Sequence, residues 1–369
     1  MNTTQEVAAL AAGPSDEEAI EFLRELVASP SASGREAAAA ELFARTAASW
    51  GLDASIDEVG NAVATRGGPG LKKEVVLLGH IDTVPGEIPV RIENGVLHGR
   101  GSVDAKGPLA AMLAAAARAR LPAVRVRVVA AVGEETPHSP GARFIAPRLR
   151  PDACIIGEPS RADGVTLGYK GRLVMTAAVR SECVHSAGPR GSPADAVLGF
   201  WRACEERCAA LNNGRVGAFE VVQSTVQSMA SSGDGLSAEA TLVCGFRLPR
   251  WITPMELESQ VSEIAGGWPG ISVRFRGHET AHVSDRNDPV ARALSGAIRA
   301  EGVRPHPKLK TGTSDMNVVA PLWRCPIAAY GPGDSALDHT AHEHLSLDEY
   351  VRSIRVLSTA LVMIAAELA

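Results

Sequence analysis

Residues 77–107 read LLGHIDTVPGEIPVRIENGVLHGRGSVDAKG, and the rest of the chain is interpreted around this stretch. The apolar run VVLL at residues 75–78 is typical of a strand that is buried on both faces. The strand leads to His80 and Asp82, which share a face because they are two residues apart. A metal-binding histidine usually donates its second ring N–H to such a carboxylate. The alternative for an isolated pair is an ordinary strand with a solvated histidine and aspartate.

The same pattern recurs at three other apolar runs. VRVRVVAAVG leads to Glu134 and Glu135, ACIIG leads to Glu158, and CPIAAYGPG leads through a short loop to His339. In open α/β sheets, ligands gather in the crevice beyond the carboxyl ends of the strands. The recurrence therefore predicts one sheet with an ionisable site along one edge.

Composition sets outer limits on the function. The chain has 369 residues, of which 45% are hydrophobic and 21% charged, as expected for a globular protein with two domains. A formal net charge of -5 argues against a general nucleic-acid binder. The alanine-rich stretch 109–119 is too short to span a bilayer, and the N-terminus lacks the pattern of a signal peptide. The six cysteines form no C-x-x-C pair, which predicts reduced thiols in a cytoplasmic protein.

The helices near the N-terminus are predicted from capping signals. Ser15 precedes three acidic residues and an amphipathic run, which indicates a helix start. Ser33 and Glu36 fit a capping box for a second helix that ends at Gly51. A further helix is expected to begin near Ala105.

The pattern changes between Gly168 and about Glu279. Here the order of elements is β-α-β-β-α-β, which is the ferredoxin-like, split βαβ arrangement. The helix predicted from Pro289 and the run before His339 return to the pattern of the first sheet. We therefore predict an α/β fold with a mixed sheet flanked by helices, interrupted by a ferredoxin-like α+β domain. The division is a first catalytic part at 1–167, an inserted domain at 168–281 and a second catalytic part at 282–369.

The polar residues at the strand ends form a plausible metal site. They offer only nitrogen and oxygen donors, which suit zinc and tolerate cobalt or manganese: His80, Asp104, Glu135, Glu158 and His339. Five ligands exceed the need of one tetrahedral ion, but one bridging carboxylate would serve two ions about 3.5–4 Å apart. Asp104 is the bridge candidate because it lies between the other ligands in a glycine-flanked turn.

Such a site predicts hydrolysis of an amide or ester. A metal pair generates hydroxide near neutral pH and polarises a carbonyl group. Glu134, next to a predicted ligand, is then placed to take the proton of the attacking water and pass it to the leaving nitrogen. For an isolated Glu-Glu pair a solvated loop is the alternative.

The motifs GHIDTVP, GRGSVDAKG, GEET, GEPS and DHTAHEH resemble those of the co-catalytic zinc aminoacylases and exopeptidases, and their order spans nearly the whole chain. That family includes acetylornithine deacetylase, succinyl-diaminopimelate desuccinylase and carboxypeptidase G. The resemblance implies that His80 and Glu158 hold one zinc, that Glu135 and His339 hold the other, and that Asp104 bridges. It further implies that Asp82 orients His80, that Glu134 is the base, and that the inserted domain is a lid that mediates dimerisation.

Within the family, VTLGYKGRL, KLKTGTSDMN and YGPGDSALDHT are most similar to the carrier-protein-linked lysine/ornithine hydrolases of the LysK type. This resemblance implies a cytoplasmic homodimer with two Zn²⁺, for which Co²⁺ can substitute. The implied partner is a small acidic amino-group carrier protein whose C-terminal glutamate carries the amino acid. Many relatives have an asparagine-containing loop where this chain reads SSGDGLSAE, which leaves side-chain specificity open.

Other residues carry weaker signals. His185 in VHSAGP matches the family's inserted-domain histidine, which is thought to stabilise the oxyanion across a dimer interface. Arg247 is a candidate for binding the substrate α-carboxylate, and a strand-surface arginine is the alternative. Thr313 and Ser314 form a candidate substrate loop. The remaining histidines are interpreted as bystanders: His98, His138, His278, His282, His306, His342 and His344.

Three further hypotheses remain open beside the carrier-protein hydrolase. Two of them belong to the same chemical class: an N-acyl amino acid deacetylase or desuccinylase acting on a small free substrate, and a dipeptidase. The third is a metal-free binding or scaffold protein on the same fold. It is disfavoured because all five ligand positions and the base position are filled.

Overall fold

The computed structural model describes residues 13–182 and 191–369. Among these residues the strands, numbered along the chain, are β1 (Asp53–Ile56), β2 (Ala62–Arg66), β3 (Lys73–His80), β4 (Arg91–Glu93), β5 (Val96–His98), β6 (Val124–Ala131), β7 (Ala153–Gly157), β8 (Gly164–Tyr169), β9 (Gly171–Glu182), β10 (Gln223–Gly233), β11 (Ser237–Leu248), β12 (Ile271–Glu279), β13 (His282–Val283), β14 (His306–Lys310), β15 (Ile327–Ala329) and β16 (His344–Ser346). The helices are α1 (Asp16–Ala28), α2 (Ala37–Ser49), α3 (Lys106–Arg118), α4 (Pro140–Ile145), α5 (Pro193–Leu211), α6 (Pro254–Gly266), α7 (Pro289–Ala300), α8 (Asp315–Trp323) and α9 (Leu347–Leu368). Within this part of the chain, no helix is both long and apolar enough to cross a membrane.

The described residues form two compact units. Unit 1 holds those up to Gly168 together with Ser284–Lys308 and Ser314–Ala369. Unit 2 holds Tyr169–Val283 and Leu309–Thr313. The structure thus places the short segment Leu309–Thr313 in unit 2, whereas the division drawn from the sequence kept 282–369 together.

A mixed sheet forms the centre of unit 1, in the order β1-β2-β6-β3-β7-β15-β8. Its central strands β6, β3, β7 and β15 are mutually parallel, while β2 and β8 run antiparallel to their neighbours. Every residue of β7 is buried, as is the apolar run of β3. Continuous apolar runs of this kind occur where helices cover both faces of a parallel sheet. The predicted mixed sheet flanked by helices is confirmed.

Helix α3 contributes much of the core of unit 1. All its residues from Lys106 to Ala117 are buried, and its alanine run packs near β3, β6 and β7. The short side chains allow the helix backbone to come close to the sheet, which fits the dense packing of protein interiors.

One of the two predicted N-terminal caps is correct. Ser15 caps α1 through a capping box with Glu18, because each side chain accepts a hydrogen bond from the other residue's backbone N–H. The capping box of Ser33 and Glu36 is wrong. Helix α2 begins at Ala37 without a side-chain cap, because the Ser33 hydroxyl donates to Asp82 Oδ2 at 2.7 Å instead.

A small three-stranded sheet brings distant segments of unit 1 together. Strands β4 and β5 form a hairpin around Asn94 and Gly95, which both have positive φ angles, as in the two-residue turns favoured in hairpins. Strand β16 pairs with β5, so that His344 lies opposite His98. This pairing sets the segment before β16 beside the turn that carries Asp104.

Unit 2 contains an antiparallel sheet in the order β10-β11-β9-β12, with α5 and α6 packed on it. Burial alternates along β11, so one face is covered and the other is exposed. Strand β10 lies at the edge and is exposed along most of its length. The predicted ferredoxin-like order of elements is confirmed, and unit 2 has its own apolar core.

Candidate metal centre

The four central strands of unit 1 bring three of the predicted ligands to one edge. Gly79 on β3 lies opposite Gly157 on β7, so the next residues, His80 and Glu158, lie side by side where the two strands end. On the other side, His80 pairs with Ala131, the last residue of β6 before the loop that carries Glu135. Because parallel strands end at a common edge, the sheet itself assembles this part of the site.

The Asp104 carboxylate lies between two histidines. Its Oδ1 is 3.2 Å from His80 Nε2, and its Oδ2 is 3.1 Å from His339 Nε2. His339 Nε2 is also 2.9 Å from Glu135 Oε1. The two oxygens of one carboxylate therefore face two different imidazoles, which is the arrangement expected of a bridging ligand.

The donor atoms of this cluster fit a metal ion in spacing and in type. Ligand atoms of His80, Asp104 and Glu135 all lie within 4.8 Å of one another. All are nitrogen or oxygen atoms, which zinc and related divalent ions accept. Glu158 is 8% exposed at the end of β7, and its charge acts on Glu134.

The electrostatics of the cluster favour a positive charge at this position. Hydrogen bonds from His339 to the carboxylates of Asp104 and Glu135 raise the pKa of His339 to about 10. Burial opposes the charge on His80, but its bonds with Asp104 and Asp82 still hold its pKa well above the usual range. The carboxylates thus stabilise cationic partners, as a metal site must.

Asp82 does more than the sequence predicted. His80 Nδ1 is 3.0 Å from the backbone oxygen of Asp82 and 3.4 Å from its Oδ1, so the expected contact is present. The same carboxylate, which is fully buried, also accepts hydrogen bonds from the backbone N–H groups of Glu134 at 3.0 Å and Glu135 at 3.1 Å. The Asp82 carboxylate also accepts a hydrogen bond from the Ser33 hydroxyl. The Asp82 side chain therefore holds both His80 and the loop after β6 in place.

Glu134 lies on that loop in a setting suited to holding a proton. Burial raises the pKa of Glu134 well above its usual range, and the negative charges of Asp315, Glu158 and Glu135 raise it further. A carboxyl group with a raised pKa is a better base toward water than an ordinary surface glutamate. Its position beside the cluster agrees with the predicted role, which stays a prediction.

Sequence reasoning missed Glu343, which lies between two histidines interpreted as bystanders. Its side chain is 1% exposed, and its Oε1 accepts hydrogen bonds from the backbone N–H groups of Val103 at 2.9 Å and Asp104 at 3.0 Å. Its Oε2 binds Arg100 at 2.8 Å, which balances the buried charge. Glu343 therefore holds the peptide groups that carry Asp104. The only sequence signal was an acidic residue inside the motif DHTAHEH.

The candidate substrate residues fall in different settings. Within unit 2, Arg247 donates to the Thr313 hydroxyl at 2.8 Å. Ser314, in unit 1, caps α8 by accepting a hydrogen bond from Met316 N–H, so its hydroxyl already has a structural role. His185 lies outside the described residues. The cysteines that the structure describes are all free thiols: Cys154, Cys204, Cys208, Cys244 and Cys325.

Comparison with known proteins identifies the family. The model of peptidase family M20/M25/M40 matches residues 76–362. This range holds every predicted metal ligand. The chain belongs to this family. Membership makes it a metal-dependent hydrolase of amide bonds, and the resemblance inferred from the motifs is confirmed.

Similar curated members of the M20 family align over nearly the full chain. A LysW-lysine hydrolase of Deinococcus radiodurans is 47% identical over 355 residues, which cover 94% of this chain and 97% of that protein. A protein of Thermococcus kodakarensis, described as a putative LysW-lysine/LysW-ornithine hydrolase, is 40% identical and covers 93% of this chain and 91% of its own.

Solved M20 structures share the fold. A metallo-carboxypeptidase of Sulfolobus solfataricus superposes with a TM-score of 0.79 at 18% identity, covering 95% of this chain and 99% of that one. A dinuclear metal-binding peptidase of Bacillus subtilis gives a TM-score of 0.67 at 15% identity, covering 96% and 98%. These likenesses confirm the predicted fold class.

Proposed function

We propose that this M20 protein is a di-zinc amidohydrolase that releases lysine, ornithine or a related amino acid from the C-terminal glutamate of a small acidic carrier protein. The observation that carries the chemistry is the Asp104 carboxylate, whose two oxygens face His80 and His339. The choice of substrate is supported by the 47% identity to a LysW-lysine hydrolase over nearly the full length of both chains.

In this proposal, His80 and Glu158 would hold one zinc ion, Glu135 and His339 would hold the other, and Asp104 would be a ligand of both. Bound ions would supply Lewis acidity toward the amide carbonyl and would lower the pKa of a water toward neutrality. Glu134 takes the proton of the attacking water and delivers it to the leaving amine. Asp82 keeps the His80 ring in one orientation throughout, because it is buried and held by several hydrogen bonds.

Metal analysis and a substrate panel test the proposal. We expect purified protein to contain two zinc ions per chain and to hydrolyse a carrier-protein–lysine or –ornithine conjugate faster than N-acetyl-lysine, N-acetylornithine, N-succinyl substrates or dipeptides. Cobalt is expected to restore activity after chelation. Faster turnover of the small N-acyl substrates would make the protein a deacetylase or desuccinylase, and fastest turnover of the dipeptides would make it a dipeptidase. Absence of metal from active protein would overturn the whole assignment.

We also propose that the protein acts as a cytoplasmic homodimer. Strand β10 supports dimerisation, because an exposed edge strand of this length offers unpaired backbone groups to a second chain. Free thiols at every described cysteine are typical of a reducing compartment.

Two of the candidate substrate residues have distinct roles in this proposal. Arg247, held in place by its hydrogen bond to Thr313, would bind the α-carboxylate of the substrate. Ser314 would line the substrate loop only through its backbone, since its hydroxyl caps α8.

The role of His185 is tested with two inactive parents, His185→Ala and Glu134→Gln. If His185 acts on the partner's site, a mixed dimer has one site with both defects and one with neither. Mixing under subunit exchange should then restore part of the wild-type rate, since loss of one oxyanion donor costs about 10²–10³-fold. If mixing restores nothing, His185 acts within its own subunit. Full activity of a monomer would end the dimer proposal.

A further inference from the structure

The loop between β6 and α4 carries both Glu134 and Glu135, and its two ends meet. Gly141 N–H donates to the backbone oxygen of Val132 at 3.0 Å, which closes the loop at its base. Two and three residues after Val132, the backbone N–H groups of Glu134 and Glu135 donate to the Asp82 carboxylate. The positions of the two glutamates are therefore set by what holds the base of the loop as well as by Asp82.

A third chain segment reaches the base of the loop through Asn61. Its Oδ1 accepts the Val132 N–H at 3.0 Å, and its Nδ2 donates to the Gly141 backbone oxygen at 3.2 Å. The same Nδ2 donates to Asp57 Oδ2 at 2.8 Å. Asn61 is fully buried, and its bonds to the loop span 71 and 80 residues of sequence. One amide thus links both ends of the loop to the β1–β2 turn.

The geometry admits few other side chains. The position needs an acceptor for Val132 N–H and a donor for the Gly141 oxygen on one short side chain, which an amide provides. Gly141 is equally constrained, since a Cβ there would lie 2.4 Å from Asn61 Oδ1 and 2.5 Å from Val132 N. The junction is therefore packed as well as hydrogen-bonded.

The turn that presents Asn61 is itself ordered by hydrogen bonds. Asp57 Oδ1 accepts the backbone N–H groups of Val59 at 3.1 Å and Asn61 at 3.0 Å. Asp57 N–H donates in turn to the backbone oxygen of Asn61 at 2.9 Å. Asn61 is therefore held in place by its own turn. Its side chain loses little conformational freedom when it hydrogen-bonds to the loop.

We propose that Asn61 is a positioning residue for the metal centre: it locks the base of the 132–141 loop so that Glu135 is held as a ligand and Glu134 as the base. This inference rests on the proposed function for the roles of the two glutamates. It adds a residue outside the predicted ligand set, which acts through the backbone of Val132 and Gly141.

Titration of metal-free, full-length protein with Zn²⁺ tests the inference without any substrate. Loss of an outer hydrogen-bond partner of a metal site typically costs about 10–100-fold in metal affinity. We expect Asn61→Ala to weaken the binding of the ion that depends on Glu135 by about this factor. The matched control is Asn212→Ala in unit 2, because Asn212 makes the same pair of bonds, to Val222 N–H at 2.7 Å and Val222 oxygen at 2.8 Å.

The control separates positioning from a general loss of stability. Asn212→Ala should lower the midpoint of thermal unfolding and leave both Zn²⁺ affinities within about twofold, because its hydrogen bonds lie within unit 2 and hold no segment that carries a predicted ligand. Equal Zn²⁺ affinities for Asn61→Ala and wild type would overturn the inference. So would an equal loss in both variants, because the effect would then be one of stability alone.

Two further variants keep the test decisive if Asn61→Ala folds poorly. Asn61→Asp keeps the shape and the acceptor but sets a carboxylate against the Gly141 oxygen and Asp57. Wild-type Zn²⁺ binding in this variant would overturn the inference, and a weakened one would support it. Gly141→Ala should reproduce the defect from the other side of the junction, and the double variant with Asn61→Ala should be little worse than either, since both break one contact.

The Zn²⁺ titration of the Asn61 variants and the test of the proposed function can fail independently of each other. If the carrier-protein conjugate proves not to be the substrate, the Zn²⁺ titration still reports whether Asn61 supports the metal centre. If zinc binds as proposed while Asn61 variants bind it normally, only the positioning role fails.

Discussion

The main sheets of the two units differ in strand direction and in where they place their ionisable residues. In unit 1, the parallel strands β6, β3, β7 and β15 end at one edge, and the residues that lead to this edge are buried in all four. In unit 2, the antiparallel strands β10, β11, β9 and β12 end alternately at opposite edges. Ionisable residues collect at the shared edge of the first sheet, whereas charged side chains of the second pair between neighbouring strands, as Arg172 on β9 does with the buried Glu279 on β12 at 3.1 Å.

The difference shows how strand direction places chemistry. Parallel strands all end at the same edge of a sheet. The residues that follow them therefore lie close together, even when they are far apart in the sequence. Antiparallel strands offer no such edge, so a candidate substrate residue such as Arg247 depends on its neighbours for orientation. We expect substitutions at the exits of the first sheet to act on metal and turnover, and those in the second to act on stability or substrate affinity.

The largest effect is expected from Asp104→Ala. One carboxylate faces both histidines, so its loss should remove both metal ions and all measurable turnover. Metal analysis of dialysed protein checks this, with the exposed Asp53 of β1 as the control in Asp53→Ala. Retention of one ion per chain would show that Asp104 does not bridge.

Glu134→Gln should abolish most turnover and keep the metal. The amide preserves the shape but cannot accept a proton, and general base catalysis contributes about 10²–10⁴-fold. Steady-state kinetics and metal content on the same preparation give the answer. If the variant lost metal, Glu134 would be a ligand and the roles of the two adjacent glutamates would be exchanged.

Leu242→Ala tests whether the second sheet is an independent source of stability. Leu242 is fully buried in the core of unit 2, and truncation of a buried leucine costs about 2–5 kcal/mol. Hydrogen exchange should show that amides in unit 2 lose protection. Metal analysis should show that the metal content of unit 1 is unchanged. Leu113→Ala in α3 is the reciprocal variant. Equal loss of protection in both units would mean that they unfold as one.

Glu343→Gln should weaken the metal centre without removing it. The neutral side chain accepts less strongly from the Val103 and Asp104 N–H groups, and its amide end faces the Arg100 guanidinium. A loss of about 10–100-fold in Zn²⁺ affinity is expected, as for other partners of metal ligands. The exposed Glu93→Gln serves as the control. Unchanged affinity would show that the Asp104 backbone is held by other contacts.

The smallest effect is expected from Thr313→Val, which removes one hydrogen bond that Arg247 donates in unit 2. A net hydrogen bond contributes about 0.5–1.5 kcal/mol, so KM should rise about 2–10-fold with little change in kcat. Ser55→Ala, at an exposed position of β1, should change neither constant. A fall in kcat alone would show that Thr313 contributes to the catalytic step. It would contradict the expectation that residues of unit 2 affect substrate affinity and not turnover.

Periodic and local features were accessible from the sequence alone. Apolar runs that end at polar residues predicted the four central strands and their common edge, because burial on both faces demands continuous apolar residues. The β-α-β-β-α-β order of unit 2 followed from alternation and helical spacing. Ser15 was correctly identified as a cap, since its hydrogen bonds stay within one turn of helix.

What only the tertiary structure decided involves hydrogen bonds between distant segments. Ser33 has the spacing of a capping box, yet its hydroxyl binds Asp82, 49 residues away, because the fold brings that carboxylate within reach. Glu343 and Asn61 likewise satisfy backbone groups of Asp104 and Val132 that become buried only once the sheet has assembled. Such contacts have no periodicity and no local partner. The sequence therefore supplied the ligand types and the strands that carry them, and the folded chain selected the side chains that hold them in place, since a buried N–H must find an acceptor wherever the fold provides one.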